Sequence, residues 1–285
     1  MLEIAMLHHV TPERRARLGP LADYAVTPQE MDAYLRSRTE WRAVSLMETE
    51  ELGDDRQVLV TFDDGYRNNL TEALPVLEVH DVPCLLFVTT GFIASTTYPY
   101  ELELAKVVEQ REKLWIPGRE KPVVPGTTSE RRDLYQDLRL PLKPASHEGR
   151  ETFMEQLAEQ NGYDRSEMQT EPLLSWEEVR ALSEHPLVTI GAHTQSHTLL
   201  SRQPWRVALE EMRTAKKRLE EHISQSVAAI SYPYGGSNVI IRQMARWVGF
   251  DYGFTTEARR ANSITAWNRL ALPRIDISEL VPDDE

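Results

Sequence analysis

Cysteine is nearly absent from this chain: one residue, Cys84, in 285, so no disulfide can form within it. Its neighbours Val82-Pro83-Cys84-Leu85-Leu86-Phe87-Val88 read as a buried strand, where a free thiol behaves as a small hydrophobe rather than a nucleophile. Long apolar runs are missing too. None approaches the roughly 20 residues a membrane helix requires, which excludes a transmembrane segment. Basic charge is scarce, with 32 Lys and Arg against 45 Asp and Glu, a net charge of -13 and a pI near 5.2. A phosphate-backbone partner needs a basic face, so nucleic acid is not an expected partner. The amino terminus, Met1 to His9, has no basic n-region and runs directly into a strand pattern. It does not read as a signal peptide, and the expected location is cytoplasmic. Internal repeats and low-complexity tracts are also absent. What remains is an ordinary globular composition, 41% hydrophobic and 27% charged, which suits one large α/β domain over residues 1–285.

Short β-rich runs alternate with amphipathic helical stretches. Strands are expected at Ile4–Leu7, Ala43–Leu46, Val58–Thr61, Cys84–Val88, Val188–Ala192, Ala228–Tyr232, Tyr252–Thr255 and Leu272–Ile275. Helices are expected at Pro28–Thr39, Asn69–Val79, Trp176–Ser183, Trp205–His222 and Val239–Val248. Such alternation predicts crossover units and a parallel sheet, doubly wound or closed into a barrel, with chemistry at the C-terminal strand ends. Residues 95–171 break the rhythm with charged runs and prolines. They read as a helical, partly irregular insertion, either a substrate-shaping element or a surface embellishment.

Three strand ends carry chemistry. The first is Thr61-Phe62-Asp63-Asp64-Gly65-Tyr66. Adjacent carboxylates repel unless something offsets them, and a cation does. Successive residues on a strand face opposite ways, but a turn at Gly65 could bring both carboxylates into one pocket, one to hold metal and one to take a proton. An Asp-Asp-Gly turn capping the next helix is the plain alternative. The second is His193-Thr194-Gln195-Ser196-His197. Histidines at i and i+4 share a face of a helical turn, about 5–6 Å apart, close enough to reach one ion. Joined to a carboxylate, they make a two-histidine, one-carboxylate set with open positions. The third is Ile230-Ser231-Tyr232-Pro233-Tyr234-Gly235-Gly236, a strand running into a turn whose N–H groups could stabilise an oxyanion. His80, His147, His185 and His222 have no such setting and read as satisfied or solvent-exposed.

In this order, Thr-Phe-Asp-Asp-Gly-Tyr, His-Thr-x-x-His and Tyr-Pro-Tyr-Gly resemble the polysaccharide deacetylase family, carbohydrate esterase family 4 or the NodB-homology domain. Leu7-His8-His9-Val10 is similar to the opening of one branch, and Ala73–Leu77, Phe87–Phe92, Leu174–Val179 and Leu272–Ile275 also fit. The resemblance covers most of the chain outside the insertion. It implies an α/β fold, a distorted (β/α)7-type barrel with a helical insertion. It implies Asp63 as general base, a divalent metal, expected to be Zn²⁺, on Asp64, His193 and His197, and the Tyr234 amide in the oxyanion hole.

Two positions depart from the family pattern. Ser231 stands where the third motif usually begins with Arg, and the Leu272–Ile277 segment lacks the terminal His that serves as general acid. In the permuted branch of biofilm poly-N-acetylglucosamine deacetylases an N-terminal His fills that role, which points to His8. Arg274 is the candidate to replace the missing Arg and hold Asp63. The implied substrate is an N-acetylated glycan, a polymer or lipid-linked precursor in exopolysaccharide or O-antigen synthesis. The rival expectations are a metal amidase or deformylase on a non-polymeric substrate, and a non-catalytic carbohydrate-binding protein that kept the fold.

Overall fold

The computed structural model describes residues 1–12, 18–46, 48, 55–168, 171–266 and 268–279. Ten strands are named in chain order: β1 Leu2–Leu7, β2 His9–Val10, β3 Ala25–Val26, β4 Arg42–Ala43, β5 Gln57–Phe62, β6 Cys84–Val88, β7 Val188–Ala192, β8 Ala229–Ser231, β9 Tyr252–Phe254 and β10 Ile275–Asp276. The helices are α1 Pro20–Asp23, α2 Pro28–Arg36, α3 Leu74–His80, α4 Thr90–Ile93, α5 Tyr100–Gln110, α6 Thr128–Leu142, α7 His147–Asn161, α8 Trp176–Ser183, α9 Trp205–Ile223 and α10 Val239–Val248. A short π-helical stretch, Asn69–Ala73, leads into α3.

The main sheet runs β10-β1-β5-β6-β7-β8-β9 with every pairing parallel, and β4 joins beside the start of β5. Parallel neighbours need crossover connections, which the helices supply. The segment from Leu272 to Asp276 curls the sheet toward closure. Leu272 bridges to Phe254 of β9, and Ile275 pairs with Ala5 of β1. The result is a distorted, barrel-like arrangement with two apolar layers. Leu2, Ile4, Leu59, Leu85, Phe87, Ala229, Phe254 and Leu272 fill the interior. Ala5, Leu7, Val60, Phe62, Leu86, Val88 and Ile230 pack outward against the helices. This is the period of two expected of strands covered on both faces.

The helices expected at Trp176–Ser183 and Val239–Val248 are α8 and α10, while the one expected at Pro28–Thr39 ends at Arg36. Helices α2, α6 and α8 each begin with a capping box, Thr27 with Glu30, Thr127 with Glu130 and Ser175 with Glu178. Helices α7 and α10 end on left-handed glycines, Gly162 and Gly249. Two strand expectations need correction, and one strand pair was not expected. The strand expected over Ala43–Leu46 ends early: pairing stops after Val44, where the Ser45 amide and hydroxyl turn to the Glu48 carboxylate. The one expected at Leu272–Ile275 is instead β10 at Ile275–Asp276, because Pro273 has no N–H for a continuous ladder. The β2–β3 pair, two residues each, is too short to leave a periodic signal.

Within 95–171, helices α5, α6 and α7 enclose an apolar cluster of their own, including Leu104, Val107, Tyr135, Leu138, Met154 and Leu157. Arg165 ties it together through Glu103 at 3.0 Å and Glu151 at 2.8 Å. Among the described residues, no helix is long and apolar enough to cross a membrane.

Candidate active site

The alternation of the strands aims a polar set into one end of the barrel. On β1, Leu2 and Ile4 face the interior, and Met6 and then His8, just past the strand's end, line a cavity of about 230 Å³. Leu59 and Thr61 lead in the same way to Asp63, and Leu272 leads to Arg274 and Asp276. Asp64 would face away on an extended chain, but its φ of 76° and that of 89° at Gly65 turn the backbone so that both carboxylates line the cavity. Left-handed backbone at a non-glycine residue is uncommon. Among the described residues Asp64, Thr194, His197 and Tyr234 all adopt it around this cavity, as strained residues at functional sites do.

His193 and His197 both point into the cavity with ring centroids 4.9 Å apart. They do not share a helical turn. Positive φ at Thr194 (64°) and His197 (50°) folds the stretch into a loop, so the expected helical geometry is replaced while the convergence remains. Neighbouring elements hold the loop. The Gly91 amide donates to the Gln195 carbonyl at 2.7 Å, and a Cβ on Gly91 would lie 2.3 Å from that oxygen. The Glu211 carboxylate on α9 accepts from the Gln195 and Ser196 amides and the Ser196 hydroxyl at 3.0, 2.8 and 2.6 Å. Arg150 on α7, almost fully buried, donates to the Ser196 and His197 carbonyls and the Thr198 hydroxyl at 2.8–2.9 Å.

Asp64, His193 and His197 form a set that could hold a metal ion, their ligand atoms all within 4.8 Å of one another. Asp64 Oδ1 lies 3.4 Å from His193 Nε2 and 3.3 Å from His197 Nε2, yet it is buried without a hydrogen-bond partner. Burial pushes the Asp64 carboxyl up and the His197 imidazole well down. Burial is the largest cause of both shifts, outweighing the nearby histidines at Asp64, where a bound cation would offset it. The Nδ1 atom of His193 sits 2.9 Å from the Ser231 carbonyl. An Nδ1–H donating there leaves the Nε2 lone pair facing Asp64, the usual outer support of a metal-binding histidine. These residues fit a divalent cation.

Asp63 is set apart from this cluster by its partner. Arg274 meets it with two parallel bonds, 2.7 Å to Oδ1 and 2.6 Å to Oδ2, and the Ser231 hydroxyl donates to Oδ2 at 3.1 Å. Burial opposes ionisation, but the guanidinium outweighs it and holds the Asp63 carboxyl well below the usual carboxylate range. Ser231, at the position where the family usually has Arg, thus leaves room for an arginine arriving from the other end of the chain, and it bonds Arg274 itself at 2.8 Å.

His8 and His9 separate cleanly. His8 lines the cavity beside Tyr24, ring centroids 5.2 Å apart, with Nδ1 unbonded. His9 is buried against Tyr66 at 3.9 Å, with Asn68 near its Nδ1 at 3.5 Å. Tyr234 stands edge-on to His197 at 4.8 Å and donates to the Tyr100 hydroxyl at 3.3 Å. The histidines outside the motifs lie elsewhere: His80 pairs with Asp32, His185 with Glu78, and His222 stacks on Trp176. Sequence reasoning missed Arg150, Glu211 and Asp276. Only Asp276 left a signal, standing two residues beyond Arg274 on the same strand face.

A family model described as polysaccharide deacetylase matches residues 51–139 and 142–253. That span contains Asp63, Asp64, His193, His197 and Tyr234, while His8, Arg274 and Asp276 lie outside it. Among solved structures, the chain is similar to the Streptococcus pyogenes deacetylase PplD in complex with acetate. The identity is 17%, covering 99% of this chain and 98% of that one, with a TM-score of 0.60. It is also similar to IcaB from Ammonifex degensii, at 20% identity over 96% of this chain and 90% of that one, TM-score 0.60. The BpsB deacetylase domain from Bordetella bronchiseptica matches at 14% identity over 95% and 94%, TM-score 0.55. At these identities the likeness establishes the fold. No curated protein matches the chain.

Proposed function

We propose that this chain, which belongs to the polysaccharide deacetylase family, hydrolyses the N-acetyl group of an amino sugar within a glycan. One observation carries the reading. An ionised, arginine-held Asp63 stands beside the Asp64–His193–His197 cluster, whose Asp64 Oδ1 is buried without a hydrogen-bond partner, in a single cavity. One carboxylate is thereby kept as a base while its neighbour is free to ligate. Titratable groups pushed apart by their surroundings are the mark of divided acid–base labour.

A divalent cation held by Asp64, His193 and His197, which we assign as Zn²⁺, would supply Lewis-acid polarisation of the amide carbonyl and acidify water. Asp63 takes the proton from the attacking water, and the fork from Arg274 keeps its carboxylate oriented and unprotonated at neutral pH. The backbone N–H of Tyr234 stabilises the negative charge that develops on the carbonyl oxygen. His8 delivers a proton to the departing sugar nitrogen, since an amine leaves only when protonated. Acetate and the free amino sugar are the products. Asp276 lines the same cavity with one buried carboxylate oxygen unbonded, an acceptor suited to orienting a protonated donor.

A panel of N-acetyl, N-formyl and N-propionyl glucosamine oligomers, with N-acetylated amino acids as non-sugar amides, tests the reading. Acetate release confined to the glycan substrates and lost in His8→Ala is the expected result. Preferential release of formate, or faster turnover of the amino-acid amides, would replace it with the amidase alternative.

A further inference from the structure

The insertion contributes a wall to the cavity whose charge contrasts with the rest of the molecule. In a chain of net charge -13, helices α5 to α7 and the residue after α6 present Arg139, Lys143 and Arg150 to this cavity against the single carboxylate of Glu101. Arg139 is committed to Glu101 through a salt bridge. Arg150 makes its hydrogen bonds to neutral acceptors, the Ser196 and His197 carbonyls and the Thr198 hydroxyl, so its charge is not cancelled where it sits.

Lys143 is the cation available to a ligand. No carboxylate among the described residues lies within ion-pair distance of it, and its Nζ sits 4.6 Å from the centre of the Tyr234 ring, at the turn proposed to hold the oxyanion. Burial and the nearby Arg139 hold its pKa below the ordinary lysine value, an environment in which a lysine charge gains from an anionic partner. The barrel-side carboxylates make no ion pair with it: Asp63 is matched by Arg274, Asp64 belongs to the histidine cluster, and Asp276, one oxygen bonded to Ser278 and the other without a partner, is not within ion-pair distance of Lys143.

We infer that the insertion makes this an enzyme for acidic glycans, with Lys143 binding a carboxylate or phosphate oxygen carried next to the N-acetylated sugar. The inference rests on the deacetylase reading and deepens it by naming the substrate class. Cation and anion would meet in a partly desolvated pocket, where a charge-assisted hydrogen bond is stronger than a neutral one.

The test compares three probes: a neutral N-acetylglucosamine oligomer, an oligomer alternating N-acetylglucosamine with glucuronate, and N-acetylglucosamine 6-phosphate. Acetate release and calorimetric binding are measured for the wild type, Lys143→Met and Lys143→Arg. At least one anionic probe should exceed the neutral one by about tenfold in kcat/KM and in affinity, the worth of one hydrogen bond to a charged group. Whether the glucuronate or the phosphate probe does so identifies the source of the charge. The preference should collapse in Lys143→Met, return in Lys143→Arg, and weaken as salt is raised. Equal binding of anionic and neutral probes by the wild type, or a preference that survives Lys143→Met, overturns the inference. Anion-selective binding without acetate release from any probe would keep the site and discard the deacetylase reading instead.

Discussion

Asp63 and Asp64 are chain neighbours with opposite electrostatic surroundings. Arg274 holds the first ionised, while burial raises the second until something positive arrives. The motif residues were legible because short spacings bring their chemistry together in the sequence itself. Their local geometry was not, since positive φ at Asp64, Thr194 and His197 is imposed by tertiary contacts at residue types that do not announce it. Arg274 lies at an intermediate level. Its strand face could be read from alternation, but its two bonds to Asp63 depend on β10 lying beside β1. Arg274→Lys keeps the charge and loses the fork, so kcat should fall by about 10² as the base loses its alignment. The pH profile gives a second readout. Arg274 depresses the Asp63 pKa, so weaker coupling raises it, and the acid limb of kcat/KM, where the base becomes protonated, should move to higher pH. An unchanged acid limb would show that Arg274 does not set the ionisation of Asp63.

At the scale of elements, the histidine loop is a structure held from outside. Helix α9 supplies Glu211, α7 supplies Arg150, and Gly91 at the start of α4 admits the Gln195 carbonyl at a distance no side chain would allow. Helices α8 and α10 were readable to the residue because N-caps and amphipathic spacing agree there. The clamp was not readable. A glutamate and an arginine on charged helix faces look like solvated side chains until the fold places them under a loop. Glu211→Gln should weaken Zn²⁺ binding by about 10- to 100-fold, the range for residues that orient metal ligands, and titration of the apo-protein with a competing chelator measures it. Unaltered affinity would mean that the loop holds its shape without α9.

For the whole molecule, the parallel sheet was legible where strand and helix alternated, while the order of its strands came only with the structure. What the alternation could not show was the closure, in which residues 272–276 span from β9 to β1 and bring both ends of the chain to the same cavity. Arg274, far from the central motifs in sequence, meets them only through that closure, whereas His8 reaches them through β1 lying beside β5. The insertion was recognised as a departure, whereas its cationic wall appears only in three dimensions. The proposed metal-dependent amide hydrolysis at Asp63 and the Asp64–His193–His197 cluster can be measured directly. Acetate release from an N-acetylglucosamine-containing oligomer, glucuronate-alternating or neutral, should be followed before chelation, after it, and after addition of one equivalent of Zn²⁺. Activity should be lost and then restored. Asp63→Asn should bind the ion while turning over about 10²- to 10⁴-fold more slowly. Acetate release that persists in the chelated protein, or in the reloaded Asp63→Asn variant at the wild-type rate, would contradict the proposed mechanism.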